Sequence, residues 1–377
     1  MARTKAASVD VKCSIRAPLP KLSAPCKACS TGPPPARRYD QVMARNPVLH
    51  LTERGLYCPA GDFFIDPWRP VPRALITHGH SDHARTGHGA YLATHAALPV
   101  MRHRLGPITA EGICYAETRR IGGAIVSFHP AGHVPGSAQI RVQVAGEVWV
   151  VSGDYKTGGD AISTPFEPVP CDTFITECTF GLPVFRWQPE AAVMAEINRW
   201  WAENRAAGRI SLIGAYAFGK AQRLLAGLDP GIGSILTHGA VEATNAVLRA
   251  QGLALPETRQ VTIEVSAKTH PGALVIAPPA ALAGPWARRF GPAATAFASG
   301  WMALRGHRRR YGVDRGFVLS DHADWAGLNA AVVATGATRV LATHGYTAAF
   351  ARWLEGRGLQ AGVLETAFGQ TEDETAE

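Results

Sequence analysis

The sequence predicts a soluble α/β protein in two interleaved parts: a strand-rich domain and a second α/β block inserted into it. Three observations lead there. A chain of 377 residues, 46% of them hydrophobic, is too long for one ordinary core and suits roughly two domains of about 150 residues each. No apolar run reaches the roughly 18–20 residues that cross a bilayer. Short apolar segments recur along the chain, and each ends at His, Asp or Glu, the place where sheets flanked by helices carry their chemistry.

Residues 1–40 are rich in Pro, Ser, Lys and Arg and show no hydrophobic period, so a disordered basic tail is expected. They lack the continuous apolar core of a secretory signal; basic and poor in acids, they have the composition of a transit peptide as the alternative. The tail holds eight Lys/Arg against two Asp, so +6 of the net +8 lies there and +2 is left for the rest. Global charge is therefore weak ground for nucleic-acid binding by the folded part. The local run "RGHRRRYGVDR" at 305–315 is a better candidate. Seven cysteines without a regular framework argue against a disulfide scaffold and for a reducing compartment, taken as the cytoplasm. Cys26 and Cys29 form a CxxC with no matching second pair, which is poor support for a zinc knuckle.

From residue 47 the pattern is strand-rich. "LYCPAGDFFID" reads as two short strands turning at Gly61, "RALITHG" as a strand ending at His78, and "AIVSFHPAGH" as one ending near His133. "AQIRVQVAGEVWVVSGD" reads as a hairpin turning at Ala145-Gly146 and delivering Asp154, and "DTFITEC" as a strand ending at Glu177. Residues 188–207 fit an amphipathic helix with Ala192, Ile197, Trp200 and Trp201 near one face. Strand and helix then alternate, beginning with a strand, Gly219 and a helix. "RGFVLSDHAD" and "ATRVLATHGY" return to strands ending in histidine.

The stretch "ALITHGHSDHARTG" places three histidines and an aspartate in six positions behind an apolar run. Imidazole nitrogen and carboxylate oxygen are ligands that suit zinc, and manganese less tightly. His78, His80, Asp82 and His83 exceed one tetrahedral corner, which points to two adjacent ions, a standard device for displacement at phosphorus.

"THGHSDHA" resembles the signature of the metallo-β-lactamase superfamily of hydrolases, and His133 in "AGHVPGSAQI", Asp154 in "SGDYK" and a late histidine follow in order. Glu177 in "TECTFG", His322 in "LSDHAD" and His344 in "LATHGY" are similar to three motifs of the β-CASP branch, which acts on nucleic acids. "ECTFGLPVFRW" and residues 56–94 resemble bacterial ligase-associated DNA exonucleases, relatives of RNA-end-processing nucleases.

The resemblance implies a metallo-β-lactamase αββα sandwich with an inserted α/β β-CASP domain. The expected segments are a tail at 1–40, the first part of the sandwich at 41–181, the insertion at 182–317, the second part at 318–369 and an acidic tail at 370–377. It implies two divalent cations, zinc first and manganese second. One is held by His78, His80 and His133, the other by Asp82, His83 and His344, with Asp154 bridging both. Asp66 in "FFIDPW" would orient a ligand histidine. His322 would serve the leaving oxygen, oriented by Glu177, and Asp82 and Asp154 belong to the same catalytic set.

Lys220, after Gly219 at a helix start, and Ser137 with Gly136 are candidate phosphate contacts, as are Arg308, Arg309 and Arg310 at the cleft between domains. Trp187, Trp301 and Tyr216 are candidates for base stacking, Asp324 for support of the site. His238 is read as structural or substrate-facing. The expected function is a metal-dependent phosphodiester hydrolase, a DNA exonuclease trimming ends for repair, with DNA preferred to RNA. A DNA ligase and a helicase are the partners the resemblance implies. The alternatives are an RNA-processing nuclease and a silent nucleic-acid-binding scaffold.

Overall fold

A computed structural model describes residues 36–42 and 47–366, except the Arg308 side chain. Among them are three sheets. The first has six strands, which follow one another in chain order from His50–Thr52 to Ala110–Ile113. The second has seven. Across it lie Gln360–Val363, Arg339–Gly345, Thr173–Cys178, Glu147–Val151, Ala138–Val144, Ala124–Pro130 and Thr118–Ile121. Its first four strands are parallel neighbours, and its last four are antiparallel, with the expected hairpin turn at Ala145-Gly146.

These two sheets pack face to face. Leu56, Phe63, Ile65 and Leu75 of the first share one core with Val126, Phe128, Ile140, Trp149 and Ile175 of the second. The outer face of the first sheet (Ile76, Tyr91, Ala93) is covered by the helix Leu98–Leu105. The outer face of the second (Val150, Phe174, Val340) is covered by Trp325–Thr335 and Thr347–Glu355. Alternating side chains thus give each sheet two apolar faces, and the result is an αββα sandwich.

The third sheet is parallel throughout and lies in the chain between the sandwich strands Thr173–Cys178 and Arg339–Gly345. Its strands run Arg259–Gln260, Ile235–Thr237, Leu274–Ala277, Ser211–Gly214, Ala294–Ala298 and Arg315–Phe317. Apolar cores cover both faces, as parallel strands with crossover helices require. The helix Glu190–Ala206 buries Val193, Met194, Ile197, Trp200, Trp201 and Asn204; Ala192, expected on that face, is exposed. "RGFVLSDHAD" also departs from expectation. Its strand, Arg315–Phe317, closes the inserted sheet, and His322 lies on the loop that leads back into the sandwich.

At the N-terminal side, Ala36–Asp40 were expected in the tail but belong to the fold. Arg38 forms a parallel bridge with Val363, Ala36 packs against the outer core, and the Tyr39 hydroxyl donates to the Leu49 carbonyl. The rest of the tail, with Cys26 and Cys29, and the acidic 370–377 segment lie outside the described residues. No described helix is long and apolar enough to cross a membrane.

Candidate metal centre

The loop after Arg73–Leu75 turns so tightly that the amides of His83 and Ala84 both donate to the His80 carbonyl (3.3 and 2.8 Å). That turn brings His78, His80 and His83 to one side. Asp66 ties its start, accepting from the Thr77 amide (2.8 Å) and hydroxyl (2.6 Å). Asp154 follows Val151 by three residues, and Gly153 lets it come close. At φ +54°, a Cβ on Gly153 would lie 2.6 Å from the Thr77 Cβ.

His344 is delivered by a defect in the sheet. Glu177 pairs with Thr343 but Cys178 pairs with Gly345, so His344 is the extra residue of a bulge and sits at φ 55°. Gly345, at φ +79°, is required beside it, because a Cβ there would lie 2.4 Å from the Thr179 Cα. Asp66 too has a positive φ, 42°, so two site residues hold backbone conformations that non-glycine residues rarely adopt.

Two groups of ligand atoms result. His78, His80, His133 and Asp154 present atoms all within 4.8 Å of one another; so do His83, Asp154 and His344. Asp154 is common to both. Its Oδ2 is 3.5 Å from His78 Nε2, 3.5 Å from His83 Nε2 and 3.8 Å from His133 Nε2, and its Oδ1 is 3.7 Å from His344 Nδ1. Ligands around a tetrahedral zinc at about 2.1 Å are themselves about 3.4 Å apart, so the set fits such a cation. Asp82 stands at the edge of the second group, its Oδ2 3.4 Å from His83 Nε2 and its side chain 37% exposed.

The outward nitrogens make the same case. His83 Nδ1 meets Asp66 Oδ2 (2.8 Å), His133 Nδ1 the Asp321 carbonyl (2.9 Å), His80 Nε2 the Phe218 carbonyl (3.3 Å) and His78 Nδ1 the Thr77 hydroxyl (3.1 Å). Each ring is oriented by an outer acceptor and turns its other nitrogen inward, the arrangement of metal-ligating histidines. His83 Nε2 is buried and makes no hydrogen bond.

Electrostatics divides the cluster. Burial, then neighbouring His83, push the His78 pKa well down, and burial and His322 do the same to His133, so both rings stay neutral as ligands must. Burial opposes ionisation of Asp154, but His83 and His344 hold its carboxyl well below the usual range. Burial also opposes a charged His83; the carboxylates of Asp82, Asp154 and Asp66 outweigh it and raise that pKa well above normal. Three acids that draw a proton onto His83 form a sink for a cation.

Beside Asp154 sits a buried acid–imidazole pair. His322 Nδ1 is 2.9 and 3.0 Å from the two Glu177 oxygens. Glu177 also accepts from the Tyr155 amide (2.8 Å) and the Thr179 hydroxyl (2.5 Å), which leaves it no freedom to turn. Burial lowers the His322 pKa, but Glu177, with Asp154 and Asp321, reverses this and pushes it up to about 10.

Several expected substrate contacts are engaged inside the fold instead. Lys220 is 1% exposed and its Nζ lies 3.1 Å from Asp321 Oδ1, so it is not placed on a surface open to phosphate. The Ser137 hydroxyl accepts from the His133 and Val134 amides (3.1 and 3.2 Å) and its own amide donates to Val134 O (2.9 Å), so it fixes the His133 turn. Trp301 and Tyr216 are buried in an aromatic cluster and offer no face to a base. Half-buried Trp187 donates from its indole to the His322 carbonyl (2.9 Å), which braces that loop. Asp324 caps the next helix through the Gly327 amide (2.8 Å) and accepts from the Trp187 amide (3.0 Å). His238 caps the helix Gly239–Ala250, accepting from the Ala240 amide (3.1 Å).

The arginine run forms the helix Arg305–Tyr311, with Arg309 and Arg310 exposed. His307 stacks on Trp301 (5.2 Å), in the cluster that also holds Tyr346, two residues after His344.

Sequence reasoning passed over a set of buried charges between the two parts of the chain. Arg223 donates to Asp160 and, at 3.0 Å, to the His133 carbonyl; Lys156 pairs with Glu190 (2.5 Å). Asp321, paired with Lys220, was also missed, though it directly precedes His322 in the quoted motif.

No family model matches the chain. It is 32% identical over 314 residues to a probable DNA ligase of Opitutus terrae, an alignment covering 82% of this chain and 30% of that protein. It is 36% identical over 124 residues to an endoribonuclease of Gibberella zeae (32% of this chain, 14% of that protein). Against a ribonuclease of Thermus thermophilus it is 29% identical over 191 residues (43% and 44%). The chain thus spans less than half the length of these relatives. A crystal structure of a protein of unknown function from Enterococcus faecalis shares the fold with a TM-score of 0.52 over 80% of both chains, at 11% identity. The αββα sandwich with an α/β domain inserted in it is the metallo-β-lactamase fold, and the order of the ligand-bearing loops and these relatives support that superfamily for the chain.

Proposed function

We propose that the protein is a metal-dependent nuclease of the β-CASP branch, a phosphodiester hydrolase that trims DNA ends in company with a DNA ligase. The observation that carries this reading is Asp154, whose one carboxylate serves both ligand groups, with the Glu177–His322 pair within 4.8 Å of it. His78, His80, His133 and Asp154 would hold one divalent cation, and Asp82, His83, Asp154 and His344 the other, zinc in the first place. Two such cations supply an activated water and charge neutralisation at phosphorus.

The chain's own residues do the rest. Glu177 takes the Nδ1 proton of His322 into a hydrogen bond and leaves the Nε2–H to be given to the leaving oxygen. Lys220 neutralises Asp321, whose Oδ1 lies 3.9 Å from His322 Nε2, so that this second carboxylate does not hold the proton back. Burial of the pair keeps competing water from the transfer.

Support for DNA is the length of the match to the protein named a probable DNA ligase. The relatives named endoribonuclease and ribonuclease support a second reading, RNA processing. The complete ligand set speaks against a silent scaffold, which needs no metal. End-labelled single-stranded DNA and the matched RNA, digested with zinc or manganese, separate these readings. Cleavage of DNA from one end is expected; cleavage of RNA alone transfers the assignment to RNA processing, and no metal-dependent cleavage of either removes the nuclease.

A further inference from the structure

His133 is the ligand at which the two parts of the chain meet. Its turn is pressed against the segment that follows Asp154. The Lys156 amide donates to the Ala131 carbonyl (3.0 Å), and a Cβ on Gly132, at φ +74°, would lie 2.3 Å from the Lys156 oxygen. The insertion comes from the other side. Arg223, one turn into the helix Lys220–Gly227, donates through Nη2 to the His133 carbonyl at 3.0 Å. Asp160 of the sandwich aims that guanidinium, accepting from Nη2 and from Nε (3.0 Å). Asp160 is itself fixed, its Oδ1 accepting from the Ile162 and Ser163 amides (2.9 and 2.7 Å). Lys220, the first residue of the same helix, pairs with Asp321, whose carbonyl faces His133 Nδ1 (2.9 Å). One helix of the insertion thus reaches both the backbone of His133 and the residue that orients its ring.

A buried ion pair between Arg223 and Asp160 would by itself only join the two domains, with little net gain in stability. The bond to the carbonyl does more. A planar guanidinium serves a carboxylate and a carbonyl at one fixed angle, which an ammonium on a flexible stem does not. The side chains of Arg223 and Asp160 are buried (1% and 0% exposed), so water does not stand in for either contact. The His133 turn is therefore clamped between the Lys156 segment and Arg223. A ligand held in place before its cation arrives binds that cation more tightly. By reciprocity, a bound cation resists withdrawal of the helix.

We propose that Arg223 is a positioning residue for the first cation, and that through it occupancy of that site and docking of the insertion tighten each other. The inference rests on the metal centre of the reading above and gives the inserted domain a part in metal binding.

The test uses the full chain. Zinc is titrated against a competing chelator in wild type, Arg223→Lys, Asp66→Ala and the double variant. Hydrogen exchange of the 220–227 amides is followed with zinc bound and after its removal. Arg223→Lys keeps the charge beside Asp160 and should loosen one of the two cations by about 10–100-fold. Asp66→Ala acts on the other, so the double variant should loosen both. In wild type, zinc should slow exchange in 220–227, and in Arg223→Lys that slowing should shrink several-fold. The measurement on wild type needs no substitution and stands even where a variant folds poorly. Wild-type protein that takes up no zinc sinks the metal centre and the nuclease reading with it. Wild type that binds zinc with unchanged exchange in 220–227 overturns the role of Arg223 alone. So does Arg223→Lys with both affinities kept, or a double variant in which one cation keeps its wild-type affinity. Equal loosening of both cations in Arg223→Lys, with a lowered Tm, makes Arg223 a structural tie and overturns its positioning role.

Discussion

The two ligand groups share Asp154 but are held by different parts of the molecule. The first is enclosed from both sides. His133 reaches the Asp321 carbonyl, His80 the Phe218 carbonyl, and Arg223 of the insertion donates to the His133 carbonyl. The second is supported by the sandwich alone, through Asp66, Thr77 and the bulge at His344, and it opens to solvent at Asp82. The inserted domain is therefore part of the first group's support, whereas a cation held by the second group would exchange without disturbing the contact between domains.

The largest effect belongs to the shared carboxylate. Asp154→Ala should remove both cations, taking washed protein from close to two metal equivalents to close to none. Cleavage should fall by more than the roughly 10²–10⁴-fold of a lost general acid. Retention of one equivalent would show that the groups are independent and that Asp154 does not bridge them. His322→Ala comes next. It should keep both metals and the fold and lose on the order of 100-fold in kcat; a rate within about twofold of wild type removes its role at the leaving oxygen.

Asp66→Ala and Ser137→Ala address the comparison itself. Asp66→Ala strips the outer acceptor from His83 and should weaken the second cation by about 10–100-fold while the first stays bound. Ser137→Ala leaves the buried His133 and Val134 amides without their acceptor, a penalty of about 1–3 kcal/mol each before relaxation, and should lower Tm and loosen the first cation only. Metal titration with both variants reads the two sites separately. If both substitutions affect the same cation, the division of the centre is wrong.

What the sequence made legible follows the same line. His78, His80, Asp82 and His83 are crowded into six positions, and His133, Asp154 and Glu177 lie on or just past apolar strands, so local pattern alone marked them. Asp66 needed the family resemblance, since an acid at a strand end is common. Lys220 and Ser137, expected at phosphate, are found buried and bonded within the fold. A lysine at a helix start and a hydroxyl after a ligand histidine look available in sequence, and only the packing of the insertion against the sandwich shows them enclosed. The network of Lys156, Asp160, Glu190 and Arg223 carries no local signal, because its charges come from segments up to about seventy residues apart and are paired only by the docking of the two domains.

The smallest effect concerns the arginine helix. Arg309 and Arg310 lie on Arg305–Tyr311, exposed, and linked toward the centre through His307 and Trp301 rather than through a ligand loop. Phosphates met there would be held by exposed side chains, which gain little from each contact. Replacing both with alanine should lower the salt slope for a single strand by up to about 1.4, if each makes one contact, with both metals in place and kcat untouched. An oligonucleotide too short to leave the cleft sharpens the test, because the arginine helix should cease to matter for it. A short strand that still responds to Arg309 and Arg310 would bring that helix to the metal centre, and the open side of the centre would then face the insertion rather than the loop at Asp82.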